Sequence, residues 1–264
     1  MKKPVVAMLG FCVLALAACG GGEGEGTISP SQPQPKKPIA ELVDPFNEAL
    51  AGGGCKAAAE MVFSVLREKD KPGAPPTKAE CAYLKTPNSF LRVLADVEFT
   101  DSEEFGTAAL MAADVPGDEK LGPHASALWV LDRDGEYRYV AVTHGDAQLG
   151  ESLPEGNDAD EVAAKIVSSV REGKCDTDLV NPEGSLALGD PKAACEAIEE
   201  GNYFAPAVKA DAKAKPERMG ETLDWAFYGV DTKDGFFTLI LHSLPSEGKG
   251  QSTEYGLYDV LRSS

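Results

Sequence analysis

Basic residues and histidines are scarce in this sequence. Its 264 residues include 25 Lys and Arg against 43 Asp and Glu, so the formal charge is −18, and there are only three His. An acidic surface repels phosphate backbones and anionic lipid headgroups, so we expect no nucleic-acid partner. The same acidity is typical of a soluble surface, and it permits a cationic partner without requiring one.

The motifs of the common catalytic sites are also missing. The chain contains no HExxH, GxSxG, P-loop or dinucleotide-binding fingerprint, and no CxxC pair. His144 lies two residues before Asp146, but no Ser nucleophile can be assigned to this pair. We interpret all three histidines, His124, His144 and His242, as structural or surface residues. The protein is therefore predicted not to be an enzyme and to need no cofactor.

Two acidic segments have to be distinguished from calcium-binding loops. Residues 132–136, DRDGE, begin like such a loop but lack the acid at the next ligand position and the downstream Glu. Asp134-Gly135 is instead a typical hairpin signal, and residues 231–235, DTKDG, are interpreted in the same way. We predict two hairpin turns and no metal site.

The apolar run at the N-terminus is too short to cross a bilayer comfortably. Residues 4–18 carry no charge and follow Met1-Lys2-Lys3, which suits a signal peptide. The run ends in Leu16-Ala17-Ala18-Cys19, which resembles the lipobox of bacterial lipoproteins. The resemblance implies that residues 1–18 are removed and that diacylglycerol is attached to the Cys19 sulfur. A secretory signal cut at Ala-x-Ala, or an uncleaved anchor, is the alternative interpretation.

Lipidation would place the protein outside the cytoplasm. Residue 20 is Gly, whereas Asp at this position marks retention in the inner membrane of enteric lipoproteins. The resemblance therefore leaves open the outer face of the cytoplasmic membrane and the outer membrane. Residues 19–38 are rich in Gly and Pro and cannot form a core, so we predict a flexible, lipid-anchored tether.

The lipobox interpretation also sorts the six cysteines. Cys12 would leave with the signal peptide, and Cys19 would carry the lipid. Four cysteines remain for the exported part, namely Cys55, Cys81, Cys175 and Cys195. Since an exported protein meets an oxidising compartment, we expect disulfide bonds, for which four cysteines allow three pairings.

Two segments of similar organisation follow the tether. We predict a first α+β domain over residues 39–147 and a second over 148–264, each with helices followed by an antiparallel sheet. The main helices are predicted at 55–69 and 159–172, with short ones starting at Asp44-Pro45, at Thr77, ahead of Cys81, and at Asp190-Pro191. The strands are predicted at 107–115, 125–131 and 137–143 in the first domain, and at 222–230, 236–244 and 253–261 in the second. Residues 90–99 are predicted as a further strand of the first domain, with a helix as the alternative.

The common order of elements suggests a duplication. With Cys81 placed on Cys195, Asn88 falls on Asn202 and Phe90 on Phe204 without a gap. Further along the chain, residues 128–131 resemble residues 257–260, and the second domain would then lack the last strand of the first. If the two domains are alike, the bridges form within each domain, as Cys55–Cys81 and Cys175–Cys195.

A helix bridged to a second helix ahead of a curved sheet resembles the nuclear-transport-factor-two-like, or cystatin-like, fold found in exported bacterial lipoproteins. The resemblance implies an α+β protein with two similar halves, each a curved antiparallel sheet with a concave face. That face can hold an apolar ligand or be filled by side chains. The aromatic residues expected to line it are Trp129, Tyr139, Trp225, Phe227 and Phe237.

These features favour an extracytoplasmic lipoprotein that acts as a non-catalytic binding or interaction module of the cell envelope. Its expected partners are the membrane, through the lipid on Cys19, and an envelope protein, a glycan or a small apolar ligand. One alternative is a hydrolase or isomerase with a carboxylate in a cone-shaped pocket, which two packed, dry halves would exclude. The other is a structural protein of envelope assembly, which an outward apolar patch between the halves would favour.

Overall fold

The structure is a computed structural model that describes residues 32–51, 97–115, 124–145, 149–184, 187, 189–201, 203–222, 224–244 and 252–263. Cys19, Cys55 and Cys81 lie outside the described residues, as do the proposed signal peptide and the predicted helix over 55–69.

The first half joins a short helical segment to a four-stranded antiparallel meander. A 3-10 helix, Ile39–Leu42, leads into α1, Val43–Ala51, and the strands are β1, Asp101–Phe105, β2, Ala108–Asp114, β3, His124–Leu131, and β4, Tyr137–Gly145. The sheet order is β1-β2-β3-β4. Pro45 falls in the first turn of α1, where the N–H groups have no partner within the helix, so its ring costs no hydrogen bond.

The second half places its helices before a second meander. Its elements are α2, Ala159–Arg171, α3, Pro191–Glu196, α4, Phe204–Ala210, β5, Pro216–Glu221, β6, Trp225–Thr232, β7, Gly235–Ser243, and β8, Tyr255–Arg262. The sheet order is β5-β6-β7-β8. The predicted start of α3 is confirmed, because the Asp190 carboxylate accepts a hydrogen bond from the Lys192 N–H at 3.0 Å and Pro191 is the first helical residue.

Helices cover one face of each sheet. In the first half, Phe46 of α1 packs against the rings of Phe99, Trp129 and Tyr139, with centroids 5.1 to 5.8 Å apart. In the second half, α2 and α4 bury their apolar faces on the sheet. The residues that the helical spacing predicts on one face of α2 are all buried, namely Val162, Ala163, Ile166, Val167 and Val170, and Ala159 at the start of the helix is buried as well.

The two sheets pack against each other through a third apolar cluster. Its buried members are Phe105, Ala108, Leu110, Leu128 and Val130 from the first sheet and Trp225, Phe227, Ile240 and Tyr258 from the second. Phe105 and Phe227 stack across the interface with centroids 4.9 Å apart. Because side chains alternate along β6, Trp225 and Phe227 face the first sheet while Ala226 and Tyr228 face the helices. The chain therefore forms four layers in the order helix, sheet, sheet, helix.

A chain of hydroxyl groups links the two sheets at one end of this interface. The Thr107 and Thr238 hydroxyl oxygens are 2.5 Å apart, and those of Thr238 and Ser263 are 2.7 Å apart. All three residues are fully buried. These hydrogen bonds satisfy polar groups that would otherwise be stranded in an apolar layer.

The predicted fold class, α+β with two similar sheet-bearing halves, is confirmed. The expectation that the second half lacks a strand is wrong, because both sheets have four strands. The similarity between residues 128–131 and 257–260 also does not follow the topology, since it places β3, the third strand of its sheet, on β8, the fourth. The two halves correspond strand by strand instead, β1 with β5 through β4 with β8.

Two strands are absent from the sequence-based prediction. Residues 97–99 of the predicted strand 90–99 are not in a strand, and the first described strand begins at Asp101; residues 90–96 lie outside the described part. The other missed strand is β5, PERMGE, and the strand predicted at 222 begins at Trp225. Both missed strands lie at sheet edges, where charged residues and Pro are tolerated because only one side of the strand is hydrogen-bonded.

Candidate functional site

The five aromatic residues predicted to line a pocket are packed in three different clusters. Trp129 and Tyr139 lie beneath α1, Trp225 and Phe227 lie between the sheets, and Phe237 lies beneath α4, with its ring centroid 5.3 Å from that of Phe204. Their exposed fractions range from 0 to 5%. A ring that lined an open pocket would keep accessible surface, so these rings build three cores and do not converge on one cavity.

A polar side chain, His242 near the end of β7, lies beside the aromatic cluster between the two sheets. Its ring centroid is 4.3 Å from that of Trp225 and 5.8 Å from that of Tyr258, and the Trp225 and Tyr258 rings are 5.0 Å apart. His242 faces the first sheet because it follows Ile240, a member of the intersheet cluster, by two residues. Trp225, His242 and Tyr258 form the candidate site, which we call the His242 site.

The imidazole of His242 is neutral at physiological pH. Burial lowers its pKa to about 4, although a backbone hydrogen bond at Ser243 and the nearby Glu183 carboxylate act in the opposite direction. The Nδ1 atom lies 2.9 Å from the Ser243 carbonyl oxygen, which assigns the proton to Nδ1 because a carbonyl can only accept. Nε2 is then a hydrogen-bond acceptor.

The phenol of Tyr258 is neutral as well. Burial raises its pKa to about 12, and the Asp259 and Glu183 carboxylates add to the shift. The site therefore offers one acceptor, His242, and one donor, Tyr258, in aromatic surroundings. Neither group has a pKa near 7, where general acid–base catalysis is most effective. The arrangement suits hydrogen bonding to a neutral group better than proton transfer.

Ser243 and Asp224 lie beside the site but do not form a catalytic triad with His242. In a triad the imidazole accepts a hydrogen bond from the Ser hydroxyl and donates to the carboxylate. Here the Ser243 hydroxyl donates to the Asp224 carboxylate at 3.2 Å, and the imidazole donates to the Ser243 carbonyl. The serine is therefore not activated by the histidine.

The segment that carries Glu183 is held against this end of the second sheet. The buried Asn181 side chain donates to the His242 and Ser243 carbonyls at 3.4 and 3.3 Å, and its backbone N–H donates to the Leu257 carbonyl at 2.9 Å. A disulfide between Cys175 and Cys195, 20 residues apart, closes the loop that contains this segment. This is the second-half pairing that the duplicated arrangement implies.

The other two histidines lie on the first sheet. The Nδ1 atom of His124 is 3.0 Å from the Asp114 carboxylate, which joins the start of β3 to the end of β2. His144 pairs in register with Ala125 on the neighbouring strand.

Both acidic segments form hairpin turns. The Asp132 carboxylate accepts the N–H groups of Asp134 and Glu136 and pairs with Arg138, so its oxygens are used within the turn. In the second turn Thr232 pairs with Gly235, and its hydroxyl donates to the Gly235 carbonyl at 2.8 Å. Among the described residues, no group of three or more His, Cys, Asp or Glu could hold a metal ion.

The comparisons with known proteins found no relative of this chain. No family model, no curated protein and no solved structure matches it. No enzyme family is therefore indicated, in keeping with the missing catalytic motifs. In the part of the chain that the structure describes, no helix is both long and apolar enough to span a membrane. The resemblance to the cystatin-like fold stays a prediction.

Part of the His242 site could have been found from the sequence. In β7, FFTLILH, alternation puts Thr238, Ile240 and His242 on one face and Phe237, Leu239 and Leu241 on the other. The pattern thus places the imidazole on a buried face. No sequence signal places Glu183 near it, because that proximity depends on how the disulfide-closed loop folds over the sheet.

The half-buried imidazole of His242 predicts a pH-dependent loss of stability. The folded-state pKa, about 4, lies below the unfolded value of 6.5, so the contribution is fully present above pH 6.5 and is lost as the pH falls towards 4. The partly exposed edge of the ring weakens the effect, and we expect about 1–2 kcal/mol. Urea unfolding at a series of pH values should show a steeper decline for the wild type than for His242→Gln. Parallel profiles would contradict the prediction.

Proposed function

We propose that this chain is a lipid-anchored, extracytoplasmic protein of the bacterial envelope whose folded part is a non-catalytic binding or interaction module. The lipobox-like Leu16-Ala17-Ala18-Cys19, the preceding apolar run and the Gly- and Pro-rich segment after it support the anchor. An oxidising compartment is supported by the Cys175–Cys195 disulfide, because such bonds persist outside the cytoplasm.

The observation that carries the module proposal is the packing of the two sheets. The sheet faces turned away from the helices are buried against each other by fully buried side chains such as Leu110, Trp225, Phe227 and Ile240. In a cone-shaped enzyme, such a face would have to stay open to admit a substrate. Because this face is filled in both halves, recognition is left to the outer surface of the molecule.

The two alternatives receive less support. A pocket enzyme needs a carboxylate or imidazole in an accessible aromatic cavity, whereas the half-buried imidazole of His242 packs against the Trp225 and Tyr258 rings and bonds to the Ser243 carbonyl. An assembly protein would expose a continuous apolar patch. Among the described residues, Tyr203 is the one large apolar side chain that is exposed.

The lipid anchor is tested by substituting the proposed lipidation site. Cys19→Ser should abolish incorporation of radiolabelled fatty acid and shift the protein out of the membrane fraction. Cys12→Ser is the matched control, because Cys12 lies in the apolar run and is lost on cleavage; this variant should keep both the label and the membrane location. Continued labelling and membrane retention of Cys19→Ser would refute the lipoprotein assignment.

A further inference from the structure

Residues 32–38, which the sequence assigns to the tether, are docked on the folded body. The Gln32 side chain is buried, with its amide nitrogen 3.7 Å from the Met219 sulfur. The Lys36 N–H donates to the Gly135 carbonyl at 2.8 Å. A Cβ atom on Gly135 would come within 2.5 Å of the Gln34 carbonyl oxygen. We call residues 32–38 the strap; it contacts both sheets, at β5 and at the β3–β4 turn.

The strap marks one end of the four-layer body. The β1–β2 turn at Gly106 lies against Gln32, and the Thr107–Thr238–Ser263 hydrogen bonds place the β6–β7 turn and the end of β8 at the same end. We call this the strap end. The opposite end, which we call the far end, holds the β5–β6 turn, His242, the start of β8 and the start of α2, where the Asp158 N–H donates to the Thr253 carbonyl at 3.0 Å.

The two ends differ in charge. Over the strap-end residues 32–38, 105–108, 131–138, 211–217, 231–236 and 262–263, basic and acidic side chains nearly balance. The basic ones are Lys36, Lys37, Arg133, Arg138, Lys213, Lys215, Lys233 and Arg262, and the acidic ones are Asp132, Asp134, Glu136, Asp211, Glu217, Asp231 and Asp234. Glu41 and Glu104, which bond to Lys37 and to the Ile39 N–H beside the strap, add two acids without changing this balance much. An anionic surface can approach this end without strong repulsion.

The far end is acidic. Its described residues are 97–101, 112–115, 124–125, 154–161, 181–184, 221–222, 224, 242–244 and 252–255, and these ranges contain no Lys or Arg. The acidic residues there are Glu98, Asp101, Asp114, Glu155, Asp158, Asp160, Glu161, Glu183, Glu221, Asp224 and Glu254. Arg218 and Lys165 reach in from neighbouring positions to pair with Asp160 and Glu161. The far end thus carries eleven acidic residues and no basic residue of its own, whereas the strap end is close to neutral.

We propose that the strap end is the surface that faces the lipid bilayer, and that the acidic far end is held away from it. The proposal rests on the lipid anchor proposed above. Two independent features support it, namely the point at which the anchored segment leaves the body and the charge difference between the ends. Anionic headgroups repel acidic surfaces within about a Debye length, roughly 10 Å at 0.1 M salt.

The segment between Cys19 and the strap, residues 20–31, which we call the leash, is short enough to support this orientation. With the strap docked, only residues 20–31 separate Cys19 from the body. Their Gly-rich composition predicts a root-mean-square reach of roughly 20 Å. An eight-residue strand is about 26 Å long, and this is about the distance between the strap end and the far end. The average reach of the leash is shorter than this distance, so it does not favour an orientation with the far end against the membrane.

The test is energy transfer from the protein to the membrane. Full-length lipidated protein carries a clickable fluorophore at Ala212, exposed at the strap end, or at Thr253, exposed at the far end. Both positions are uncharged, so the labels do not alter the charge pattern. The protein is reconstituted into phosphatidylethanolamine vesicles that contain phosphatidylglycerol and an acceptor-labelled headgroup. We expect transfer from position 212 to exceed that from 253 by about twofold or more, because a strand length separates the two ends.

The outcomes separate the orientation from the anchor. Equal transfer, or stronger transfer from position 253, with protein that cofloats with the vesicles would overturn the orientation and leave the anchor intact. Protein that does not cofloat and carries no lipid would refute the anchor and the orientation together. If charge contributes, the contrast should shrink in about 1 M salt, where the Debye length is about 3 Å.

The strap itself is tested with a matched pair of glycine variants. Gly135→Ala should drive the strap off the β3–β4 turn, because the new methyl group meets the Gln34 carbonyl, and the longer leash should bring the transfer ratio towards one. Gly156→Ala is the control, since Gly156 has nearly the same backbone conformation, φ +78° against +74°, but nothing within 4 Å. An unchanged ratio in Gly135→Ala, as in the control, would show that the strap does not orient the protein.

Discussion

Substitution of Phe227 by Ala is expected to lower the free energy of unfolding by about 3–5 kcal/mol, the usual cost of removing a buried aromatic ring. Phe227 is completely buried between the two sheets and stacks on Phe105 and on Trp225, with centroids 4.9 and 6.2 Å apart. Removal of the ring leaves a cavity between two sheets whose hydrogen bonding keeps them from collapsing into it. The stability of both halves should fall together.

Urea unfolding followed by tryptophan fluorescence and by far-UV circular dichroism measures this effect. Trp129 reports on the first half and Trp225 on the second. A shared core therefore predicts that the fluorescence of both tryptophans and the circular dichroism signal change in one common transition. Tyr203→Ala is a suitable control, because that ring is 68% exposed and its removal should cost little. A loss below 1 kcal/mol in Phe227→Ala, or separate transitions for the two halves, would contradict the shared core.

A double-mutant cycle with Phe105→Ala isolates the contact between the halves. Phe105 lies in the first sheet and Phe227 in the second, so their interaction exists only if the sheets pack together. Aromatic pairs of this kind couple by about 0.5–1.5 kcal/mol beyond the area that they bury. Additive effects of the two substitutions would show that the rings do not meet.

Removal of the Cys175–Cys195 bridge is expected to have the second-largest effect. The double variant Cys175→Ser with Cys195→Ser frees a loop of 20 residue steps, which in the chain-entropy description lowers the free energy of unfolding by about 3 kcal/mol. The freed segment includes Asn181, which is bonded to the His242 and Ser243 carbonyls. The far end of the second sheet should therefore lose protection from amide hydrogen exchange first.

Peptide mapping without reduction provides the control for this experiment. Wild-type protein should yield a linked peptide containing Cys175 and Cys195, and the duplicated arrangement predicts a second one containing Cys55 and Cys81. Unchanged unfolding in the double variant would contradict the stabilising role of the bridge. A bridge between the two halves would instead contradict the pairing itself.

Several elements were predictable because their signals are local. The apolar face of α2 recurs at helical spacing, and every residue of that face is buried. Asp190-Pro191 starts α3, and the Asp-Gly pairs end hairpins, because side-chain caps and positive backbone φ angles depend on the residue itself. The central strands β2, β3, β6 and β7 are recognisable from their continuous apolar runs.

The edge strands and the candidate site were not predictable in the same way. β1 and β5 carry charges, a Pro and a Gly, and they become strands only because a neighbouring strand offers hydrogen bonds. The five aromatic residues were expected around one concave face, yet alternation along separate strands sends them into three cores. The alternation defines two faces of each sheet, but it does not show which face packs against the helices and which packs against the other sheet.

The fold class, the main helix and hairpins, the acidic charge and the lipobox-like segment are all recognisable in the sequence, because each depends on neighbouring residues or on composition. The packing of the two sheets, the position of His242 between Trp225 and Tyr258 and the docking of the strap on both halves are evident only in the folded molecule. These features arise from contacts between residues far apart in the chain, whose geometry depends on how the layers stack. The separation of charge between the strap end and the far end has the same origin, since it emerges only when distant turns are brought to a common end.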